Sequence, residues 1–185
     1  MDVLERAIVF ATKAHAGQKR KLSGTPYILH PIEVASIIAT ITDDKDVMAA
    51  GVLHGTIEDC GVDPLEIRKR FGTRVAALVD SETEDKLATR PPAETWKERK
   101  EDSLLMLKFS KERNVKILWL ADKLSNMRSF YLSYMQQGNE IWKNFNQKDP
   151  AEHYWYYRTI AEYLEELSDT AAYQEYVQLI KKVFE

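Results

Sequence analysis

Apolar residues recur at three- and four-residue spacings along most of the chain, the pattern of helices that turn one face inward. Leu4, Ala7, Ile8, Ala11 and His15 fall on one stripe of a first helix, which should end near Gly17. A basic loop from Gln18 to Pro26 follows. Pro31 suits the first position of the next helix, so His30 stands at that helix's entrance, and Ile32, Ala35, Ile38 and Ala39 continue its apolar stripe. The run Val47 to His54 is apolar all round, which predicts a central, buried third helix with His54 and Glu58 on one face. Asp63-Pro64-Leu65-Glu66 reads as a cap, a first-turn proline and an acid placed for a capping box. Thr73 starts another helix through Val75, Leu78 and Val79. Prolines and charges between Glu82 and Glu94 predict a long loop with the length of a lid, and a helix resumes near Thr95. Asn114 to Met135 is helical again, with Asp122, Asn126 and Ser129 on one face. Asp149-Pro150-Ala151-Glu152 opens a helix carrying Trp155, Ile160 and Leu164, and a last one begins near Thr170. The expectation is an all-α fold, a single domain over residues 1–185 with about eight to ten helices.

Composition narrows the function classes. The 185 residues are 44% hydrophobic and 30% charged, enough to build a core without staples, and no repeat or linker divides them. Lys and Arg number 26 against 29 Asp and Glu, a net charge of -3 that gives no general grip on nucleic acid. Local basic clusters can still meet a small anion. Cys60 is the single cysteine, so no internal disulfide forms, and a reducing, cytoplasmic setting suits the chain. Acids within the amphipathic first residues differ from a signal peptide, and no apolar run has membrane-spanning length, so the chain reads as soluble and unprocessed.

Apolar helices carry four polar positions inward: His30, His54, the pair Glu58-Asp59, and Asp122 with Asn126. Imidazole and carboxylate together suit Zn²⁺, Mn²⁺ or Fe²⁺. Each also has an ordinary explanation. A core histidine can be satisfied by backbone groups, a His/Glu helical pair is a common local contact, and Glu58-Asp59 can be a solvated helix end before Gly61. Trp142, Phe145, Trp155, Tyr156 and Tyr157 crowd the last third, either as helix packing or as a wall for a base. His153 in that segment is expected at the surface, and His15 is expected to pack or hydrogen-bond.

Several separated motifs resemble, in order, the hydrolase domain of the RelA/SpoT family. They are His15-Ala16-Gly17-Gln18-Lys19-Arg20-Lys21, Gly24-Thr25-Pro26-Tyr27-Ile28-Leu29-His30-Pro31, Leu53-His54-Gly55-Thr56-Ile57-Glu58-Asp59, Phe71-Gly72, and Leu120-Ala121-Asp122-Lys123-Leu124-Ser125-Asn126-Met127-Arg128. That family belongs to the HD superfamily of metal-dependent phosphohydrolases and removes the 3′-diphosphate of ppGpp and pppGpp, usually with Mn²⁺. The resemblance, which extends to the stand-alone small alarmone hydrolases such as the metazoan SpoT homologues, implies an HD-type helical fold. It also implies that His30, His54 and Asp122 are metal ligands, with Glu58 and Asp59 orienting and activating water. Arg20, Lys21, Asn126 and Ser129 correspond to nucleotide contacts, as do Lys86 and Arg128, although Arg128 could instead be a structural ion-pair partner. The implied partner is a small nucleotide rather than nucleic acid or membrane, with homo-oligomers possible.

One residue departs from the pattern. The family's central motif is His-Asp, and here Gly55 follows His54, which removes an anionic oxygen donor that coordinates the ion in the family. Glycine there is also expected to loosen the helix end that presents His54. Three readings stay open: a homologue that binds alarmone without cleaving it, an active one that replaces the donor with Glu58, Asp59, water or substrate oxygen, or an introduced substitution. Beside these stand a phosphohydrolase of another nucleotide such as NADPH, and a helical structural or oligomerising protein.

Overall fold

The computed structural model describes all residues 1–185, with ten α-helices, two short 3-10 segments and one isolated bridge between Lys19 and Pro26. The helices are α1 (Val3–Ala14), α2 (Leu29–Ile38), α3 (Lys45–Leu53), α4 (Thr56–Cys60), α5 (Pro64–Phe71), α6 (Thr73–Asp80), α7 (Pro92–Phe109), α8 (Arg113–Gln137), α9 (Pro150–Tyr163) and α10 (Ala171–Phe184). The all-α expectation and most helix positions hold. Asp63, Asp149 and Thr170 cap α5, α9 and α10, accepting from the backbone N–H of Leu65, Ala151 and Tyr173 at 2.9, 2.8 and 3.2 Å. The capping box expected of Glu66 does not form, because its carboxylate takes the Arg70 guanidinium at 2.8 Å one turn on.

The core is one contiguous cluster running from Ala7 in α1 to Val183 in α10. Helix α8 is its axis. It packs against α2, α3, α6 and α10, burying Ile117, Leu118, Leu120, Ala121, Leu124 and Met127. Because neighbours surround this helix, Asp122, Lys123 and Ser125 are buried with the apolar residues. Helix α3 is buried as expected and lies close against α2 at Gly51, where a Cβ would sit 2.5 Å from Ile38 Cδ1. Glycine therefore permits the crossing that brings the His30 and His54 rings to a centroid distance of 4.9 Å.

Three local expectations change. Helix α3 stops at Leu53, Gly55 adopts a left-handed conformation (φ 79°), and α4 starts afresh at Thr56. His54 and Glu58 thus sit on either side of a sharp junction rather than on one helical face. Gly55 makes that junction and does not loosen a helix end. Helix α7 begins at Pro92, before Thr95, since the fixed φ of proline suits a first turn. The segment before it is tied down in its first half and is not a free lid. Glu84 is nearly buried and pairs with Arg99 and with Lys100 Nζ at 2.7 Å, while its backbone N–H donates to Glu58 Oε2 at 3.1 Å.

Removing one member of a buried ion cluster strands the others in a dry environment, at a cost of about 3–5 kcal/mol. Glu84→Ala leaves Arg99 and Lys100 in that state. Urea denaturation should show a loss of about 3 kcal/mol, and an unchanged midpoint would contradict this role for Glu84.

Candidate active site

His30 from α2, His54 from the end of α3 and Asp122 from the middle of α8 meet at one point. Asp122 Oδ1 lies 3.0 Å from His30 Nε2 and 3.3 Å from His54 Nε2, and the two nitrogens are 3.1 Å apart. The opposite ring nitrogens are already engaged. His54 Nδ1 is 2.6 Å from the Gly51 carbonyl, which can only accept, so that nitrogen carries a hydrogen. His30 Nδ1 is 2.7 Å from Ser125 Oγ, and this hydroxyl donates to Glu33 Oε2 at 2.6 Å, leaving its lone pair to accept from His30. Both Nε2 atoms are thereby turned toward Asp122, able to donate to it while protonated and to offer lone pairs to an ion once deprotonated, the arrangement by which outer partners orient metal-binding histidines. Donors about 2.1 Å from a shared first-row ion stand roughly 3.0–3.4 Å apart. The three atoms therefore fit a divalent ion.

Charge in this knot is uneven. Burial pushes His30 down to about 4, against the opposing hydrogen bond to Asp122. Burial also opposes a charge on His54, yet the hydrogen bond and charge of Asp122 raise it to about 9. Asp122 would be raised by burial, but Lys123 and the two imidazoles hold it well below the usual carboxylate range. Lys123 Nζ is 2.5 Å from Asp122 Oδ2 and 3.0 Å from Glu82 Oε1.

The donors form the floor of a chamber of about 160 Å³ that adjoins an outer cleft of about 570 Å³. Arg20, Tyr27, Asp59, Lys123, Asn126 and Tyr156 line both. Asn126 joins floor to rim, donating to Asp122 Oδ1 at 3.2 Å and accepting from Arg20 Nη2 at 3.1 Å. Lys21 and Ser129 line the outer cleft, where Lys21 Nζ stands 5.9 Å from the centre of the Phe145 ring. Glu58 and Asp59 lie on the chamber wall with Lys86 Nζ between them, paired with Glu58 and 3.1 Å from Asp59 Oδ1. Asp59 Oδ2 accepts from Tyr27 Oη at 3.4 Å.

Arg128 lies away from both cavities. It forks onto Glu175 at 2.6 and 2.7 Å and reaches Glu33 at 2.9 Å, tying α8 to α10 and α2, so its sequence assignment to the nucleotide is replaced by the ion-pair alternative. His153 is buried, against expectation, because α9 stacks its ring on Trp142 at 4.8 Å and its Nε2 meets the Gln147 carbonyl at 2.9 Å. The aromatic group divides: Phe145, Tyr156 and Tyr157 line the outer cleft, whereas Trp142 is core and Trp155 lies under Lys97. Sequence reasoning passed over Tyr27, Glu82, Lys100, Lys123 and Ser125. Lys123 and Ser125 closely follow Asp122 on a helix enclosed by others, a signal present in its apolar run, but Glu82 and Lys100 come together only through the pinned loop.

Residues 7–150 match the family described as HD domain, which is most of the chain. The chain belongs to the HD domain family. Among its HD-domain relatives, the guanosine-3′,5′-bis(diphosphate) 3′-pyrophosphohydrolase of Vibrio cholerae is 33% identical over 185 residues, covering 99% of this chain and 26% of that protein. The chain spans about a sixth to a quarter of the curated relatives it matches, for example 21%, 17%, 15% and 26% of four of them. The crystal structure of lmo0812 from Listeria monocytogenes EGD-e superposes with a TM-score of 0.72 at 31% identity, covering 84% of this chain and 98% of that one. A metazoan orthologue of SpoT, described as hydrolysing ppGpp, shares the fold with a TM-score of 0.77 at 23% identity, over 98% of this chain and 96% of that one. No helix of this HD-domain protein is long and apolar enough to cross a membrane.

The two imidazoles give opposite pH dependence to the metal-free protein. His54, raised from 6.5 to about 9, contributes stability that is complete below 6.5 and is lost as pH rises through 9. His30, lowered from 6.5 to about 4, is held neutral, and its contribution is lost as pH falls through that window. In chelator, stability against denaturation should therefore fall on the alkaline side, and His54→Gln should flatten that limb. An alkaline limb unchanged by the substitution would contradict the assignment.

Proposed function

We propose that residues 1–185 act as one catalytic unit that hydrolyses (p)ppGpp at its 3′-diphosphate, giving GDP or GTP and pyrophosphate, with Mn²⁺ as the ion. The observation that carries this reading is the convergence of His30, His54 and Asp122 on the floor of a chamber whose adjoining cleft carries Arg20, Lys21 and an aromatic wall. The name of the Vibrio cholerae relative, similar across nearly the whole chain, supports the substrate. A mixed nitrogen and oxygen donor set supports a first-row divalent ion. Such an ion, when bound, lowers the pKa of water and neutralises phosphate charge.

The remaining work falls to side chains. Glu58 and Asp59 face the chamber, and either carboxylate can take the proton that an attacking water gives up. Lys86 holds the two together, so the base stays in place before substrate arrives. Arg20 offers a planar fork to phosphate or a base and Lys21 a point charge, while Asn126 keeps Arg20 in register with Asp122. Ser129, Phe145 and Tyr157 receive the nucleoside in the outer cleft. The lone, unpaired Cys60 supports a cytoplasmic setting.

Mn²⁺-dependent pyrophosphate release from ppGpp is expected from the chain as it stands. Asp122→Asn should lower kcat by about 10²-fold or more, and Arg20→Ala should mainly raise KM. Release of phosphate from NADPH with none from ppGpp would overturn the substrate assignment. Tight ppGpp binding without turnover would turn the protein into a binding module.

A further inference from the structure

Five carboxylates line the inner chamber: Glu58, Asp59, Glu82, Glu84 and Asp122. Four have both oxygens engaged. Glu58 takes Lys86 and the Glu84 backbone N–H, and Asp59 takes Lys86 and Tyr27. Glu84 takes Arg99 and Lys100, and Asp122 takes Lys123 together with the two imidazoles. Glu82 differs. Its Oε1 meets Lys123, but its Oε2 is buried with no hydrogen-bond partner, on a side chain only 4% exposed. A buried polar oxygen left without a partner is costly, so the position calls for a cation or donor that visits it.

The neighbours indicate which. Lys123 Nζ bridges the Glu82 and Asp122 carboxylates, so two anions already flank one cation beside the two imidazoles. Gly55, on the same chamber, presents no side-chain donor, and the space a Cβ would enter there is bounded by Asp59 Oδ2 at 3.3 Å and Tyr27 Oη at 3.6 Å. With neutral imidazoles and a charged Lys123, Asp122 alone would leave two net positive charges buried around a divalent ion, and Glu82 removes one. We infer that Glu82, which stands outside the group formed by His30, His54 and Asp122, turns its free Oε2 to the ion when one binds and so supplies the second carboxylate donor that Gly55 does not. The inference rests on the metal reading of His30, His54 and Asp122.

Metal binding without substrate tests it. Free Mn²⁺ is measured by electron paramagnetic resonance during titration of the metal-free protein, its Asp122→Asn and Glu82→Gln variants, and the double variant Gly55→Asp/Glu82→Gln. The native chain should bind one Mn²⁺, Glu82→Gln should weaken binding about 10–100-fold, and Gly55→Asp, aspartate being one of the few side chains that tolerate the left-handed φ of 79° at this position, should restore it, which also separates ligand loss from misfolding. Visible spectra at saturating Co²⁺ should differ between the native chain and Glu82→Gln, as a ligand leaves the ion. Native affinity in Glu82→Gln, or an unchanged Co²⁺ spectrum, overturns the inference while leaving the three-donor site intact. No Mn²⁺ binding by the native chain, or binding indifferent to Asp122→Asn, overturns the metal reading itself and the inference with it.

Discussion

Asp122 Oδ1, shared by two imidazoles in the middle of a buried helix, is the contact on which this molecule is organised. An ionised carboxylate is tolerated so deep in a core only when surrounded by charge and hydrogen-bond donors. Lys123, His30, His54 and Asn126 provide these, and each comes with its own packing demand. Gly51 lets α2 and α3 approach, which seats the two rings, while the Gly51 carbonyl and the Ser125–Glu33 pair fix the direction in which they point. Core packing and site geometry are here one set of constraints.

Reactive groups and specificity groups occupy different depths of the cavity. The floor is built from helix interiors and is rigid through burial. The rim combines the basic loop between α1 and α2 with aromatic residues from α9 and the segment preceding it. Asn126 spans the two, so a ligand that pulls on Arg20 acts on a residue bonded to Asp122. The cation held between Glu58 and Asp59 shows how the carboxylates are kept close without mutual repulsion.

Much of this was legible in the sequence because the helices announce themselves. Proline after aspartate marks the starts of α5 and α9, and an apolar run on all sides marks α3 as central. His30, His54 and Asp122 were found because their motifs occur in order, and the fold then brings them together. What could not be read was backbone direction at a single residue and side-chain company across long separations. The left-handed Gly55 splits an apparently continuous helix, and nothing in the local pattern of Glu82 or Glu84 shows that one faces Lys123 and the other Arg99. His153 is buried where its polarity points to the surface, because a ring that is polar at one edge packs well on its face.

The most direct measurement of the central claim is anomalous diffraction from a crystal of this protein soaked in Mn²⁺. The account predicts a single strong peak bounded by His30 Nε2, His54 Nε2 and Asp122 Oδ1, absent from a crystal of Asp122→Asn. A peak elsewhere, or none at saturating Mn²⁺ with those side chains still in mutual contact, would contradict it.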